Sequence, residues 1–486
     1  MQPTYLSYDK GSILVRSEAK VPYSVWDERI GAFRAPALYY REIVEFLKKS
    51  ELSAIKDGVE ELPPCPELKC KSVEMRAYQK RALESWDRAG RRGVIVLPTG
   101  AGKTIIGMKA IELVDQPVIV IVPTLDLLDQ WRRRLQEELG VEVGAYGGGE
   151  SAIRAVTVCT YDSAYLRAGE LGNRFGLLIF DEVHHLPAES FRQIAEMFTA
   201  PCRMGLTATY ERDDMLHLEL PRLIGGVVYR LQPEDLAGRY LSEYAIERVN
   251  VELTKEEEEE YRRNYSAFTG YLQRNGVWLR SPLDFQRFIM RTSRDPEARR
   301  ALLARNRAIT IAFNSQAKVD KLEEILRSNP DDRILIFTQH NDLVYRISKR
   351  FLLPFITHTT NKEERYEVLK GFREGRFRAI VTSKVLDEGI DVPEASIGVI
   401  VSGTGSSREF VQRLGRLLRK SEGKGRARLI ELVSSETSET RTSSRRRKRS
   451  EGRSGATKQT AGALPGEESD TAEGDYGLAD EVVEQQ

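Results

Sequence analysis

Leu97-Pro-Thr-Gly-Ala-Gly-Lys-Thr104 and, further along, Leu177-Leu-Ile-Phe-Asp-Glu-Val-His-His185 are the two stretches whose reading decides the fold. The first closes a β-branched strand, Gly93-Val-Ile-Val96, and opens a helical stretch, Ile105-Ile-Gly-Met-Lys-Ala110. In such a strand–loop–helix, Gly100 and Gly102 let the backbone N–H groups of Thr99, Ala101 and their neighbours turn inward around phosphate oxygens. Lys103 can reach the β- and γ-phosphates, and the Thr104 hydroxyl can ligate Mg2+ at a helix N-terminus. The second stretch is an apolar strand that ends in two carboxylates. Asp181 is expected to hold the same Mg2+, and Glu182 to position and polarise an attacking water. Together, in this order, the two stretches predict an α/β nucleoside triphosphatase.

Composition sets limits around that reading. The formal net charge of +1 averages over a segregated pattern, because a basic block, Arg445–Arg449, precedes eight acidic residues between Glu467 and Glu484. Whole-chain charge therefore decides nothing about nucleic acid. Four cysteines in 486 residues imply a reducing compartment. Cys65 and Cys70 lack a second pair at zinc-finger distance, so no structural zinc is expected. The longest aliphatic run, Val118–Val122, is a strand length and far short of a membrane span. These features predict a cytoplasmic protein with no membrane partner, nucleoid-associated if the source is a prokaryote.

The chain divides by pattern. Residues 1–70 alternate in Thr4–Tyr8 and Ser12–Arg16, turn helical at Ala37–Lys49 and end in a linker at Pro63, Pro64 and Pro66, which predicts a small α+β domain. Residues 71–230 alternate Val/Ile strands with amphipathic helices, the pattern of a parallel sheet, and a second such domain spans 231–434. Within it, residues 254–305 are polar, Glu/Arg-rich and aromatic without a strand pattern, which predicts a helical insertion. From 435 to 486 aliphatic residues are scarce, and a disordered tail is expected.

Further segments fall where a two-lobed motor needs them. Met75-Arg-Ala-Tyr-Gln-Lys80 precedes the phosphate loop. The amide of Gln79, beside Arg76, can read the N6 amino group and N7 of adenine, although a surface glutamine on a helix would look the same. Thr124 and Thr160 each follow a strand and open a helix, where a hydroxyl can hold a nucleic-acid phosphate or simply cap the helix. Gly205-Leu-Thr-Ala-Thr209 offers Thr207 and Thr209 to couple phosphate state to grip. In the second lobe, Thr382, Gly389 and Asp391 lie along Ala379–Asp391 at one sheet edge. Gln412-Arg-Leu-Gly-Arg-Leu-Leu-Arg419 puts Arg416 and Arg419 on one helical face, suited to spreading γ-phosphate charge.

"PTGAGKT" with "DEVHH" resembles superfamily 2 helicases, for which Leu97 in place of glycine is a departure from the general P-loop pattern. Lys384–Pro393, Gln412–Arg419 and Thr207–Asp214 resemble the XPB-type DNA helicases, in their short archaeal form. Arg212-Asp213-Asp214 looks like that family's "RED" element with its central glutamate one methylene shorter. The resemblance covers about residues 70–432. It implies two RecA-like motor domains, ATP and Mg2+ as cofactors, and 3′–5′ helicase or duplex-translocase activity on single-stranded and duplex DNA in repair or transcription. It further implies a damage-recognition-like N-terminal domain, a thumb-like insertion, roles for Gln412, Arg416 and Arg419 in catalysis, and a nuclease partner. An RNA helicase and an ATP-gated DNA-binding scaffold that recruits a nuclease carry the same motor motifs and stay open as alternatives.

Overall fold

Alternation at the N-terminus is what builds the first sheet. In β1 (Thr4–Asp9) and β2 (Ser12–Arg16), Leu6, Ile13 and Val15 are buried while Tyr5 and Ser7 face out. β3 (Val25–Asp27), β4 (Ala32–Pro36) and β5 (Ile55–Gly58) complete a five-stranded sheet of order β3-β4-β2-β1-β5. Tyr40, Ile43 and Leu47 on one face of α1 (Tyr40–Lys49) close its core. The protein is described from a computed structural model that covers residues 3–17, 20–50, 55–212, 214–236, 238–240, 243–383, 395–402 and 427–440. The chain forms two units, Met1–Leu236 and Ala237–Gln486.

In the first unit, α2 (Ala77–Arg88) leads into β6 (Arg92–Val96), which runs to the phosphate loop and α3 (Lys103–Val114). Then follow β7 (Val118–Val122), α4 (Leu125–Leu139), β8 (Val143–Gly147), β9 (Glu150–Ser151), β10 (Val156–Thr160), α5 (Tyr161–Leu171) and β11 (Leu177–Asp181). α6 (Arg192–Met197), β12 (Cys202–Thr207), α7 (Leu220–Leu223), β13 (Val227–Arg230) and α8 (Pro233–Leu236) end the unit. The sheet order is β13-β6-β12-β11-β7-β10-β8-β9, parallel except for the terminal β8–β9 pair. β7, β10, β11 and β12 are buried along their whole length, as strands covered on both faces must be. Because β6 lies beside β12, and β12 beside β11, the ends of all three meet at one edge. That juxtaposition creates the site.

The N-terminal sheet docks on this domain through specific polar contacts. Tyr8 donates its hydroxyl to the Met197 carbonyl at 3.0 Å, Arg92 pairs with Glu42 at 2.6 Å, and Arg41 donates to the Gly90 carbonyl at 2.7 Å. Arg203 on β12 is fully buried and serves the carbonyls of Ala195, Phe198, Ala200 and Leu223. Burial lowers its guanidinium pKa to about 9. It satisfies carbonyls that helix ends leave unpaired.

The second unit has a parallel sheet of order β14-β19-β18-β15-β17-β16. β14 (Tyr244–Val251) is separated in sequence from the rest by α9 (Lys255–Arg274), α10 (Pro282–Thr292), α11 (Pro296–Asn314) and α12 (Gln316–Ser328). β15 (Ile334–Phe337), α13 (Asn341–Phe351), β16 (Phe355–Ile356), α14 (Lys362–Arg373), β17 (Ala379–Thr382), β18 (Ile397–Ile400) and β19 (Ala427–Ser434) follow. The insertion is helical as expected, but its last helix runs on to Asn314, past the expected end at 305. The reason is local: Asp295 caps it, Pro296 starts it, and no breaker interrupts Glu297–Phe313.

Residue 435 is not where order ends. Glu439 is buried against Lys318 on α12, with both carboxylate oxygens 2.6–2.7 Å from Nζ, and it also accepts the Ser434 N–H at 2.9 Å. Lys318 donates further to the Val401 carbonyl. A tail boundary drawn from aliphatic content missed a segment held by charge. Removing one member of such a pair strands the other, at a cost of about 3–5 kcal/mol. Glu439→Ala should therefore lower the thermal midpoint of the second unit clearly. An unchanged midpoint would show that the pair does not hold that segment.

Candidate nucleotide site and nucleic-acid surfaces

The phosphate loop is shaped by its glycines. Gly100 (φ +85°) and Gly102 (φ +77°) are left-handed, and a Cβ on Gly102 would stand 2.5 Å from Gln79 Nε2. Gly102 is also the N-cap of α3 and brings no side chain to occupy the first-turn N–H groups. The Thr99 hydroxyl is buried without a hydrogen-bond partner among the described residues. A glycine cradle, an uncapped helix start and an orphaned hydroxyl fit a polyphosphate, and so fit the expected cofactor. Lys103 Nζ rests 3.3 Å from the Leu97 carbonyl and 4.0 Å from Glu182 Oε1.

Gln79 is buried rather than on the surface. Its Oε1 accepts from Arg76 N–H at 2.8 Å and its Nε2 donates to the Ala101 carbonyl at 3.0 Å, while Tyr78 donates to the same carbonyl at 2.7 Å. Gln79 and Arg76 thus form the capping box of α2 and brace the loop from behind.

Asp181 ends β11 almost fully buried. Its Oδ1 accepts from the Glu182 N–H at 3.0 Å and its Oδ2 from Trp131 Nε1 at 2.8 Å. Tyr161 donates to its backbone carbonyl at 3.1 Å. Glu182 holds a left-handed backbone (φ +48°), an uncommon state for a side-chain-bearing residue that costs of order 1–3 kcal/mol. The turn aims its carboxylate at Thr207 Oγ1 and His184 Nδ1, each 3.4 Å from Oε2. Thr207 donates to the Thr209 carbonyl at 2.7 Å and accepts the Thr209 N–H at 3.1 Å. Thr207 Oγ1 also lies 3.0 Å from His184 Nδ1, within hydrogen-bonding distance. The Thr209 hydroxyl is buried with no partner among the described residues. The carboxylate strand and the threonine strand are therefore joined by side chains as well as by their ladder.

The hydroxyls expected at nucleic acid are placed differently. Thr124 caps α4 by accepting the Leu127 N–H, and Thr160 caps α5 by accepting the Ser163 N–H, both at 3.3 Å. A strand-to-helix junction puts a threonine at the N-cap, and both do that work here. Thr382 ends β17, an inner strand of its sheet; it is fully buried, and its hydroxyl donates to the Ser383 carbonyl at 2.9 Å. Arg212 chelates Asp214 and donates to the His184 carbonyl at 2.6 Å, so its charge is already partnered. Asp213, Gly389, Asp391, Gln412, Arg416 and Arg419 lie outside the described residues.

In the insertion, Phe268, Tyr271, Phe285 and Phe288 form a core, and Tyr261 is buried in a second cluster with Ala308, Ile311 and Phe313. Trp278 is the exception at 56% exposed, with the Arg280 guanidinium 5.3 Å from its ring centre. No helix among the described residues is long and apolar enough to cross a membrane, and none of their His, Cys, Asp and Glu side chains cluster in threes as a metal site.

Residues that sequence reading missed are Trp131, Tyr161, Tyr78 and His184, all within hydrogen-bonding reach of the motif residues. Only the place of Trp131 late in the first helical turns after Pro123-Thr124 hinted that it faces the sheet.

Comparison with known proteins agrees with this geometry. Residues 6–57 match the xeroderma pigmentosum group B helicase damage recognition domain, 72–212 the type III restriction enzyme res subunit, and 295–450 the ERCC3/RAD25/XPB C-terminal helicase. The chain is 44% identical over 443 residues to DNA 3′-5′ translocase XPB2 of Sulfurisphaera tokodaii, covering 91% of this chain and 99% of that one. It is 31% identical to DNA 3′-5′ helicase XPB of Mycobacterium tuberculosis over 72% of this chain and 59% of that one. To the putative DNA 3′-5′ helicase Rad25 of Haloarcula marismortui it is 30% identical, over 76% and 53%. It thus spans nearly all of the first relative and little more than half of the other two. By its full-length similarity to XPB2, and by the two motor sheets that carry the matched segments, the chain belongs to the XPB-type helicase family.

Proposed function

We propose that this protein is an ATP-driven DNA motor, a 3′–5′ translocase or helicase that opens DNA in repair or transcription. The observation that carries the reading is one sheet edge where the glycine cradle, Lys103 and the Asp181–Glu182 pair converge, in a chain so similar to a named DNA translocase. ATP is the nucleotide and DNA the substrate that this family uses.

Each residue then has a task. Backbone N–H groups from Thr99 to Thr104 would bind the phosphates, and Lys103 would leave the Leu97 carbonyl to meet the β/γ oxygens. Thr104 and Asp181 would hold Mg2+, which when bound neutralises charge developing on the phosphates. Glu182 would orient the attacking water and take its proton. Thr207 and Thr209 would carry the state of Glu182 into the DNA-binding parts of the lobe, and Gly389 and Asp391 would do so in the second lobe. Arg416 and Arg419, with Gln412, would serve catalysis by spreading γ-phosphate charge. Thr124, Thr160, Arg212, Asp213 and Asp214 remain the proposed DNA contacts of the first lobe. A nuclease partner and a cytoplasmic, nucleoid-associated location belong to the same proposal and rest on the archaeal likeness.

Polarity is tested by strand displacement on duplexes with a 3′ or a 5′ single-stranded tail. Unwinding of the 3′-tailed duplex supports the proposal, and preference for the 5′ tail overturns it.

The insertion offers a finer test. Tyr261 accepts the Ser438 N–H and is buried with Ala308, Ile311, Ala312 and Phe313, so excising 254–305 would cut into the unit's core. Trp278 can be changed alone. Stacking on a base is worth about 1–3 kcal/mol, so Trp278→Ala should weaken forked-DNA binding by roughly 5- to 150-fold and leave DNA-free hydrolysis unchanged. Equal binding by filter or anisotropy assay would remove the insertion tip from the DNA path.

A further inference from the structure

Trp131 sits in the second turn of α4 and belongs to no catalytic motif, yet it touches three of the parts described above. It lies on α4, the helix that Thr124 caps, and it is 1% exposed. Its indole nitrogen donates to Asp181 Oδ2 at 2.8 Å. The far edge of its ring fills the gap left by Gly107 on α3, where a Cβ would meet Trp131 Cη2 at 2.7 Å. α3 is the helix that begins at Lys103. One rigid ring therefore spans the phosphate-loop helix, the carboxylate at the end of β11, and the helix whose start is a proposed DNA contact.

From this geometry we infer that Trp131 is a positioning residue: it fixes the Asp181 carboxylate for Mg2+ and links that carboxylate to α4. The inference rests on the reading of Asp181 as the Mg2+-holding carboxylate. Its chemistry is specific. An indole N–H only donates, so it favours the ionised carboxylate and sets its rotation without competing for it as an acceptor. The Glu182 N–H holds the other oxygen, so the carboxylate is oriented from two sides. Because the ring is packed against Gly107 of α3, its rotation about its own side-chain bonds is restricted. A shift of α4 on binding DNA would then be carried to the indole donor at Asp181.

The test is nucleotide binding, not turnover. In the full chain carrying Glu182→Gln, ATP binding is measured by calorimetry across a Mg2+ titration, with and without duplex DNA. Partners that orient metal-holding carboxylates are worth about 10- to 100-fold in metal affinity, so Trp131→Phe should raise the half-saturating Mg2+ by that factor. Affinity for ATP without Mg2+ should not change. Duplex DNA should lower the half-saturating Mg2+ in the Glu182→Gln parent, and Trp131→Phe should lose that response.

Trp86→Phe is the control. Trp86 is equally buried and donates to the Arg203 carbonyl, so it loses the same kind of bond elsewhere, and its Mg2+ dependence should stay as in the parent. Asp181→Asn separates the two readings. If it leaves the Mg2+ dependence unchanged, the assignment of Asp181 itself fails. If it abolishes that dependence while Trp131→Phe behaves like the parent, only the role of Trp131 fails. Should Trp131→Phe not fold, the indole N–H resonance of Trp131 in the unsubstituted protein decides: it should shift when Mg2+ is added to the ATP complex of the chain, and a fixed resonance overturns the inference.

Discussion

Lys103→Ala is expected to abolish ATP hydrolysis, with a loss of at least about 10³-fold in single-turnover rate. Lys103 is the one Lys or Arg in Leu97–Thr104, and its ammonium lies between the Leu97 carbonyl and Glu182. Those contacts are long, so the ammonium can exchange them for phosphate oxygens at little cost. Without it, charge that spreads over the γ-phosphate meets only backbone N–H dipoles. The fold should survive, because Lys103 stands at the first position of α3, ahead of the helix's buried residues, which begin at Ile106. An unchanged melting temperature with a lost rate is the expected pair of results. A rate within tenfold of the unsubstituted protein would remove Lys103 from phosphate contact.

Glu182→Gln should bind ATP as well as the unsubstituted protein and turn it over about 10²- to 10⁴-fold more slowly, the range for losing a general base. The amide matches the carboxylate in size and tolerates the same left-handed backbone, so the turn after β11 should hold. What disappears is the proton acceptor and the negative charge facing His184 and Thr207. Rapid-mixing phosphate release reads the rate, and equilibrium binding reads the affinity. Wild-type turnover would mean that another group activates the water. A parallel loss of binding and turnover would make Glu182 structural.

How much of this was legible before the fold was known follows from the range of the interactions. The strand–loop–helix at 93–110 and the strand at 177–181 are local patterns; both strands appear within a residue of their expected bounds, and the helix starts two residues earlier and runs four residues further, to Val114. Sheet order is not local. Nothing in the spacing said that β12 lies between β6 and β11, which is what brings Thr207 to Glu182. Gln79 could be singled out, but its burial against Ala101 depends on how α2 packs on the loop. The burial of Thr382 was hidden in the same way, because a hydroxyl at a strand end looks alike whether the strand is inner or edge. The Lys318–Glu439 pair was invisible to composition, since its partners are 121 residues apart and neither belongs to an apolar run. Trp131 shows the same limit from the other side: the helix around it was readable, and the carboxylate it serves was not.

The central claim is that hydrolysis at the Lys103–Glu182 site is driven by DNA. It is tested most directly by ATPase rates of the full chain without nucleic acid, with single-stranded DNA, with duplex DNA and with RNA, at one ionic strength. The account predicts a low basal rate, clear stimulation by DNA and little by RNA, with all of it lost in Lys103→Ala. Stimulation by RNA equal to that by DNA, or a rate that no nucleic acid changes, would contradict it.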